Sequence, residues 1–146
     1  MKRIHMAVAV TLFSAAFAAS AQSGGPNDAQ IAAIVVTANQ VDIDAGKLAE
    51  SKGKNKDVRA FGKMMVTDHT GVNKAATDLV TKLKVKPEDN PTAQSLKKGG
   101  QDNVAKLKTL IPSAQNAELK ALLVKVRPAF VAHLDHAKQV QSELGK

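Results

Sequence analysis

The chain has 146 residues, of which 44% are hydrophobic, 23% are charged and only 3% are aromatic, and its formal net charge is +8. This length suits one ordinary domain. The lack of cysteine excludes disulfides, thiolate zinc sites and cysteine nucleophiles, and the sequence contains no glycine-rich phosphate loop or serine-nucleophile elbow.

The first 21 residues have the order of a secretory signal peptide. Lys2 and Arg3 give a positive start, residues 6–19 are small and apolar, and Ala19-Ser20-Ala21 forms a small-x-small cleavage site. The apolar run is shorter than the roughly 20 residues that a membrane-spanning helix needs, which argues against the alternative of an uncleaved anchor. We therefore expect cleavage near Ala21, a periplasmic or secreted product, and one mature domain over residues 22–146.

The mature chain keeps a positive charge. Loss of Lys2 and Arg3 lowers the basic residues from 21 to 19 while the acidic residues stay at 13, so the net charge becomes +6. The lysines are scattered among acids and no aromatic residues alternate with them, which argues against a nucleic-acid partner. An anionic envelope surface is the partner that this charge favours.

Helix-forming residues dominate, and no Asn-Gly or Asp-Gly turn separates alternating apolar runs. The spacing predicts a first helix from a cap at Asn27 to about Ser51 and a second from about Lys56 to Lys84. The short link between them makes the two antiparallel. Apolar residues recur at three- and four-residue steps on both helices; on the first helix they are Ile31, Ile34, Val35, Ala38, Val41, Ala45 and Leu48.

The rest of the sequence predicts a region of weak helical tendency followed by one more long helix. Short helices are expected over 92–98 and 102–110, separated by Gly99-Gly100. A last helix runs from Asn116 to about Leu144, with a kink at Pro128 because the proline ring removes a backbone hydrogen bond. The predicted fold class is an all-α antiparallel helical bundle with three long helices and one weak or missing helix.

Five polar residues interrupt the apolar stripes of the long helices. At 100° per residue they fall inside a stripe or at its edge, and they are Asp42, Asp68, His69, His133 and His136. Asp42 and Asp68 lie about equally far from the link between the first two helices, so they share one level of the bundle. Charged groups are almost never buried without a partner or a metal.

Three interpretations of these residues remain open. Asp68 with His133 and Asp42 with His69 form an ion-paired network that sets helix register, or the residues bind iron, manganese or copper, or they lie at a solvated rim. Inward carboxylates and imidazoles are how di-metal bundle proteins build their sites, but the Glu-x-x-His motif of those proteins is absent. No catalytic triad or cleft is indicated, so enzymatic activity is the less favoured reading.

Three segments carry a resemblance to a known family: TANQVDIDAGKLA, VRAFGKMMVTDHTGVN and LKALLVKVRPAFVAHLDHAKQVQ. With the signal peptide, they resemble a family of secreted bacterial proteins labelled as a domain of unknown function, or as periplasmic or outer-membrane proteins. The resemblance implies a ferritin-like helical bundle. It also implies that Asp42, the Asp68-His69 pair and His133 occupy the family's polar positions, with Asp42 where the family commonly has Glu.

One departure from that family concerns the segment after Leu107. Members usually carry another long helix there, whereas here NVAKLK runs directly into TLIPSAQN. The fourth wall of the bundle is then filled by residues 102–110, by a partner chain or by nothing, and an exposed seam favours a homo-oligomer.

The resemblance implies an undefined envelope or stress-related role. The alternatives are transition-metal binding, with or without redox chemistry, and a basic module that binds the envelope surface.

Overall fold

The computed structural model describes residues 24–98 and 103–145, and the described residues form five helices and no strand. The elements are α1 (Asp28–Lys52), α2 (Lys56–Lys82), α3 (Pro91–Lys97), α4 (Asn103–Ser113) and α5 (Ala117–Leu144). This confirms the predicted all-α bundle with three long helices. The predicted signal peptide, 1–21, and the Gly99-Gly100 interruption lie outside the described residues.

Asparagines start four of the helices. Asn27 forms a capping box with Gln30, in which the Asn27 side chain accepts from the Gln30 backbone N–H and the Gln30 side chain accepts in return. Asn55, Asn90 and Asn116 cap α2, α3 and α5. These caps satisfy backbone N–H groups that have no partner within their own helix, which explains why the predicted helix starts agree with the structure.

Two helix ends differ from the sequence prediction. The second helix was expected to reach Lys84 but ends at Lys82, and Lys84 has a φ of 54°, in the left-handed region that breaks a helix. The fourth was expected to end at Leu110 but continues through Pro112 to Ser113. Pro112 lies in the last turn, where its missing N–H removes one backbone bond just before the helix ends.

The three long helices form an antiparallel arrangement. Residues 53–55 link α1 to α2, and the two helices pack against each other along most of their length. Helix α5 runs antiparallel to α2, since Phe61 contacts His136 near one end and Lys82 pairs with Glu118 near the other. Helix α5 is continuous through Pro128.

The core lies at one end of this bundle, which we call the covered end. It consists of the first half of α1, the second half of α2, α3, α4 and the first half of α5, and its buried apolar residues include Ile31, Ile34, Leu96, Leu107, Leu110, Leu119 and Leu123. Helix α4 therefore supplies the fourth wall there. A small apolar core of this kind is the main source of stability in a bundle.

The opposite end, which we call the open end, consists of the remaining halves of α1, α2 and α5. The predicted α1 stripe was wrong here, because Ala45 and Leu48 are exposed, Leu48 by 62%. Helices α3 and α4 follow α2 at the covered end, so neither of them lies over these residues. Leu134 and Leu144 of α5 are exposed as well. No helix in the described ranges combines the length and apolarity needed to cross a bilayer.

The covered end is tied together by polar contacts to the start of α1. The Asp28 carboxylate accepts hydrogen bonds from the backbone N–H groups of Gln115 and Asn116, both at 2.9 Å. The Glu88 N–H donates to the Ala29 carbonyl at 3.0 Å. The connections before α3 and before α5 are thus both held against the first turn of α1.

Candidate functional site

Four of the five predicted polar residues meet where the covered and open ends join. Asp42 comes from α1, Asp68 and His69 come from α2, and His133 comes from α5. The fifth, His136, is exposed and lies edge-on against Phe61, with ring centroids 5.1 Å apart. The structure therefore gives His136 a different neighbour from those of His133.

His69 is the centre of the cluster and only 2% of it is exposed. Its Nδ1 lies 2.9 Å from the Oδ1 of Asn39 and 3.5 Å from the Oδ2 of Asp42. Its Nε2 lies 3.2 Å from the Nδ1 of His133. Both ring nitrogens of this buried imidazole therefore have polar neighbours, as a buried polar side chain requires.

His133 carries the network outward to solvent. Its Nε2 lies 2.9 Å from the Oδ2 of Asp68, whose side chain is 44% exposed. The result is one continuous chain of hydrogen bonds, from the buried amide of Asn39 through His69 and His133 to the Asp68 carboxylate. It joins all three long helices, so it couples the position of α5 to that of the α1–α2 hairpin.

Asn39 sets the direction of these hydrogen bonds. Its Nδ2 donates to the Val35 carbonyl at 2.8 Å, so its Oδ1 faces His69 and must accept from Nδ1–H. His69 Nε2 is then an acceptor, and His133 Nδ1–H donates to it. The hydrogen bonds therefore describe His69 as a neutral imidazole with its proton on Nδ1.

The electrostatics of His69 agree with this assignment. The pKa of His69 is lowered from 6.5 to about 4, mainly by burial and partly by the nearby His133, while the Asp68 charge opposes the change. His69 is therefore neutral near pH 7. A charge on the His69 ring, with little water nearby, would be strongly disfavoured.

Two glycines explain how His69 reaches Asn39. A Cβ at Gly62 would lie 2.6 Å from the Gly46 carbonyl oxygen, and a Cβ at Gly46 would lie 2.8 Å from that of Gly62. The backbones of α1 and α2 thus approach more closely than any other residue allows. Asn39 and His69 lie seven residues from these glycines, two helical turns along each helix, so the contact sets the register of the site.

Phe130 separates the imidazoles from the core. Its ring centroid lies 4.9 Å from that of His69, and on its other side is an apolar pocket of about 20 Å³ between α1, α4 and α5. That volume suits one water molecule, and an apolar pocket of this size is usually dry.

The donor set does not match a di-metal carboxylate centre. In the described parts of the chain, no group of three or more His, Asp or Glu side chains is arranged to hold a metal ion. The carboxylates lie at the outer nitrogens of the two imidazoles, while the inner nitrogens face each other. Iron or manganese bound by converging carboxylates would need these side chains to rearrange.

Sequence reasoning identified part of this network and missed the rest. Both predicted pairs are confirmed, Asp68 with His133 at 2.9 Å and Asp42 with His69 at 3.5 Å. The direct contact between the two histidines and the role of Asn39 were not foreseen. Asn39 lies close to the phase of Gly46 on α1, so a helical projection that included amides would have found it.

Comparisons with known proteins give one match. A model of the family described as "Domain of unknown function (DUF4142)" matches residues 13–110. The matched range contains α1, α2, α3 and most of α4, and α5 with His133 lies beyond it. No curated protein and no solved structure matches the chain.

Proposed function

The chain belongs to the DUF4142 family, a domain of unknown function, and from that premise we propose that it is a secreted, periplasmic protein of ferritin-like type without enzymatic activity. Its role lies in the bacterial envelope or in the response to stress. In this proposal the polar network is a structural clamp, which holds α5 on the α1–α2 hairpin in one register.

One observation carries the proposal: every ring nitrogen of the two buried imidazoles already has a polar partner. His69 contacts Asn39 and His133, and His133 contacts Asp68. A catalytic base needs a nitrogen directed at a substrate, and here the nitrogens are directed at other side chains. Buried polar networks of this kind give a bundle a unique helix register.

Stability measurements test the clamp. His133→Ala removes the middle of the chain of hydrogen bonds and leaves His69 Nε2 without its donor, so we expect a lower melting temperature. His136→Ala, on the same helix but exposed, is the matched control and should melt close to the wild type. Equal melting temperatures for the wild type and His133→Ala would contradict the clamp.

Secretion is tested separately by cell fractionation and N-terminal sequencing. Residues 1–21 have the positive, apolar and cleavage-site order of a signal peptide, so we expect a periplasmic chain that begins near Gln22. A cytosolic chain that retains its first residues would contradict this part of the proposal and leave the clamp unaffected.

A second candidate function is the binding of a transition metal between the two imidazoles. The 3.2 Å between His69 Nε2 and His133 Nδ1 is close to the roughly 3.3 Å between two nitrogens on one tetrahedral ion. The outer nitrogens face Asn39 and Asp68, as the ring N–H groups of metal-binding histidines usually face oxygen atoms. Two imidazole ligands favour copper over manganese, because manganese prefers carboxylates and both carboxylates lie at the outer nitrogens.

Metal analysis separates the two functions. Protein is purified without chelators, and its iron, manganese and copper contents are measured for the wild type, His133→Ala and His136→Ala. Stoichiometric metal that is lost only in His133→Ala supports the metal site. Absence of metal from all three proteins, with a lower melting temperature for His133→Ala alone, supports the clamp.

A further inference from the structure

Basic side chains are concentrated around the turn that joins α1 to α2. Residues 47–63, which we call the basic tip, contain six basic and two acidic side chains, a net charge of +4 and half of the charge of the whole chain. All six basic residues are exposed. The tip lies at the outer limit of the open end.

The basic side chains of the tip have few carboxylate partners within the fold. Lys74, Lys82 and Lys97 each lie within 4.0 Å of a carboxylate. Among the residues that the structure describes, Lys47 is the only lysine of the tip near a carboxylate, and its Nζ lies 4.0 Å from the Oδ1 of Asp44. The charge of the tip is therefore not neutralised within the fold and acts on whatever approaches from outside.

The turn itself is held in one shape. The Arg59 guanidinium donates to the carbonyl oxygens of Gly53 and Lys54 at 3.1 and 3.0 Å, and Asn55 caps α2 by accepting from the Asp57 N–H. The linker carbonyls and the start of α2 thus have partners other than the lysine side chains. Lys52, Lys54 and Lys56 extend from a rigid base.

Large apolar side chains accompany these charges. Leu48 of α1 is 62% exposed, and Leu144 of α5 is 54% exposed. His136 lies beside Phe61 of α2, and the eight residues from His136 to Leu144 advance about 12 Å toward the turn. Leu144 therefore lies at the same end of the molecule as the lysines.

We propose that the basic tip, with Leu48 and Leu144, docks the protein on an anionic lipid surface. Lysines beside exposed leucines are the combination that binds at the boundary between headgroups and acyl chains, with the leucines inserted and the lysines near the anionic headgroups. The tip has no exposed aromatic side chain on which a base could stack, which disfavours a nucleic acid. This inference goes beyond the clamp and does not depend on it.

Vesicle co-sedimentation tests the proposal. Protein secreted into the periplasm, with its N terminus identified by mass spectrometry, is mixed with vesicles of phosphatidylcholine alone or of phosphatidylcholine with one third phosphatidylglycerol. We expect binding to the anionic vesicles only, and loss of most of it at about 0.5 M salt, because salt screens exposed charges. Equal binding to both vesicles, or none to either, would overturn the proposal.

Matched variants locate the surface. Lys52→Gln, Lys54→Gln and Lys56→Gln together should weaken binding on the order of 100-fold, given the contribution of each basic residue near an anionic surface. Lys108→Gln, Lys120→Gln and Lys125→Gln remove the same charge from exposed positions at the covered end and should have a much smaller effect. Equal losses for the two triple variants would show a response to net charge alone and would overturn the assignment.

The leucines separate lipid from other partners. Leu48→Ser with Leu144→Ser should weaken vesicle binding roughly tenfold, whereas Val124→Ser, an equally exposed position on α5, should not. An unchanged affinity of the leucine variant, with tight binding to a DNA duplex, would overturn the lipid assignment in favour of a general polyanion. A dimer in light scattering that dissociates in the leucine variant would overturn it in favour of a second copy of the chain.

Discussion

At the covered end five helices surround buried leucines and isoleucines, whereas at the open end three helices meet and Leu48 and Leu144 face solvent. The basic tip adds charge to the open end, since among the described residues Lys47 is the only lysine of the tip with a carboxylate within 4.0 Å. One end is thus built for stability, and the other has surface available for contact. The polar network lies at the junction between them.

The two ends also hold their helices together by different means. At the covered end apolar side chains fill the space between helices, as in most bundles. In the open end the backbones of α1 and α2 approach closely at Gly46 and Gly62, and the nearest side chains are the small or flexible ones of Ala49, Met65 and Val66. A stable core at one end therefore leaves the other end free to expose charge and apolar surface.

The largest expected effect is a difference in stability between leucine variants at the two ends of the molecule. Leu123 is fully buried at the covered end, so Leu123→Ala should lower the free energy of unfolding by about 2–5 kcal/mol. Leu48→Ala at the open end should change it by less than about 0.5 kcal/mol, because Leu48 is mostly solvated. Urea unfolding monitored by circular dichroism measures both, and similar losses would show that the two ends do not differ.

A pH titration tests the junction. The pKa of His69 is 6.5 in the unfolded chain and about 4 in the fold, so the unfolded state binds more protons between these values. The stabilising effect is complete above pH 6.5 and is lost as the pH falls toward 4, by roughly 2–3 kcal/mol. Protonation would place a charge on a buried imidazole beside His133, and the carboxylates that face the pair, Asp42 and Asp68, offset this only partly.

The urea midpoint between pH 7 and pH 4 is the measurement for this prediction. His69→Phe should flatten the pH dependence, since it removes the titrating group. His136→Gln removes an exposed imidazole and should keep the wild-type profile. A decline that persists unchanged in His69→Phe would assign it to other groups.

The glycine contact offers a sharper comparison within α2. A Cβ at Gly62 would meet the Gly46 carbonyl oxygen at 2.6 Å and the Glu50 nitrogen at 2.7 Å, both backbone atoms, so Gly62→Ala should cost about 1–3 kcal/mol. Gly71 on the same helix has nothing within 4 Å of such a Cβ, and Gly71→Ala should stabilise by about 0.5–1 kcal/mol. Thermal unfolding distinguishes the opposite signs; a stabilising Gly62→Ala would contradict the close approach.

The smallest expected effect concerns Asn39. Asn39→Ala removes the acceptor of His69 Nδ1–H, and a loss of about 0.5–1.5 kcal/mol is expected because Asp42 lies only 3.5 Å from the same nitrogen. Gln40→Ala, next to it but exposed and paired with Asp44, should stay within about 0.5 kcal/mol. If the two variants unfold at the same urea concentration, Asn39 does not orient the network.

Helical periodicity predicted the fold class and the polar cluster for one reason. Positions that share a face of a helix share its neighbours, so Asp42, His69 and His133 had to lie in the interior once the stripes were found. Periodicity does not say which element covers a stripe, and the exposure of Leu48 was missed for that reason. His136, at the edge of its stripe, contacts Phe61 and stays exposed.

The sequence also did not predict the distances between the helices. The approach of α1 to α2 depends on Gly46 and Gly62, which carry no hydrophobic signal. The 3.2 Å contact between His69 and His133 depends on this close approach of the helices, so the sequence alone did not predict it. The pairs of opposite charge were predictable from chemistry, and the pair of like residues was not.

The hydrogen bonds of Asp28 bear on the order in which the molecule assembles. Its carboxylate binds backbone groups 87 and 88 residues later in the chain, so this closure waits until almost the whole polypeptide is available. The α1–α2 hairpin needs only neighbouring residues and is expected to form first, since local contacts form fastest. The contacts of Asp28 at the covered end are therefore expected to form after the α1–α2 hairpin.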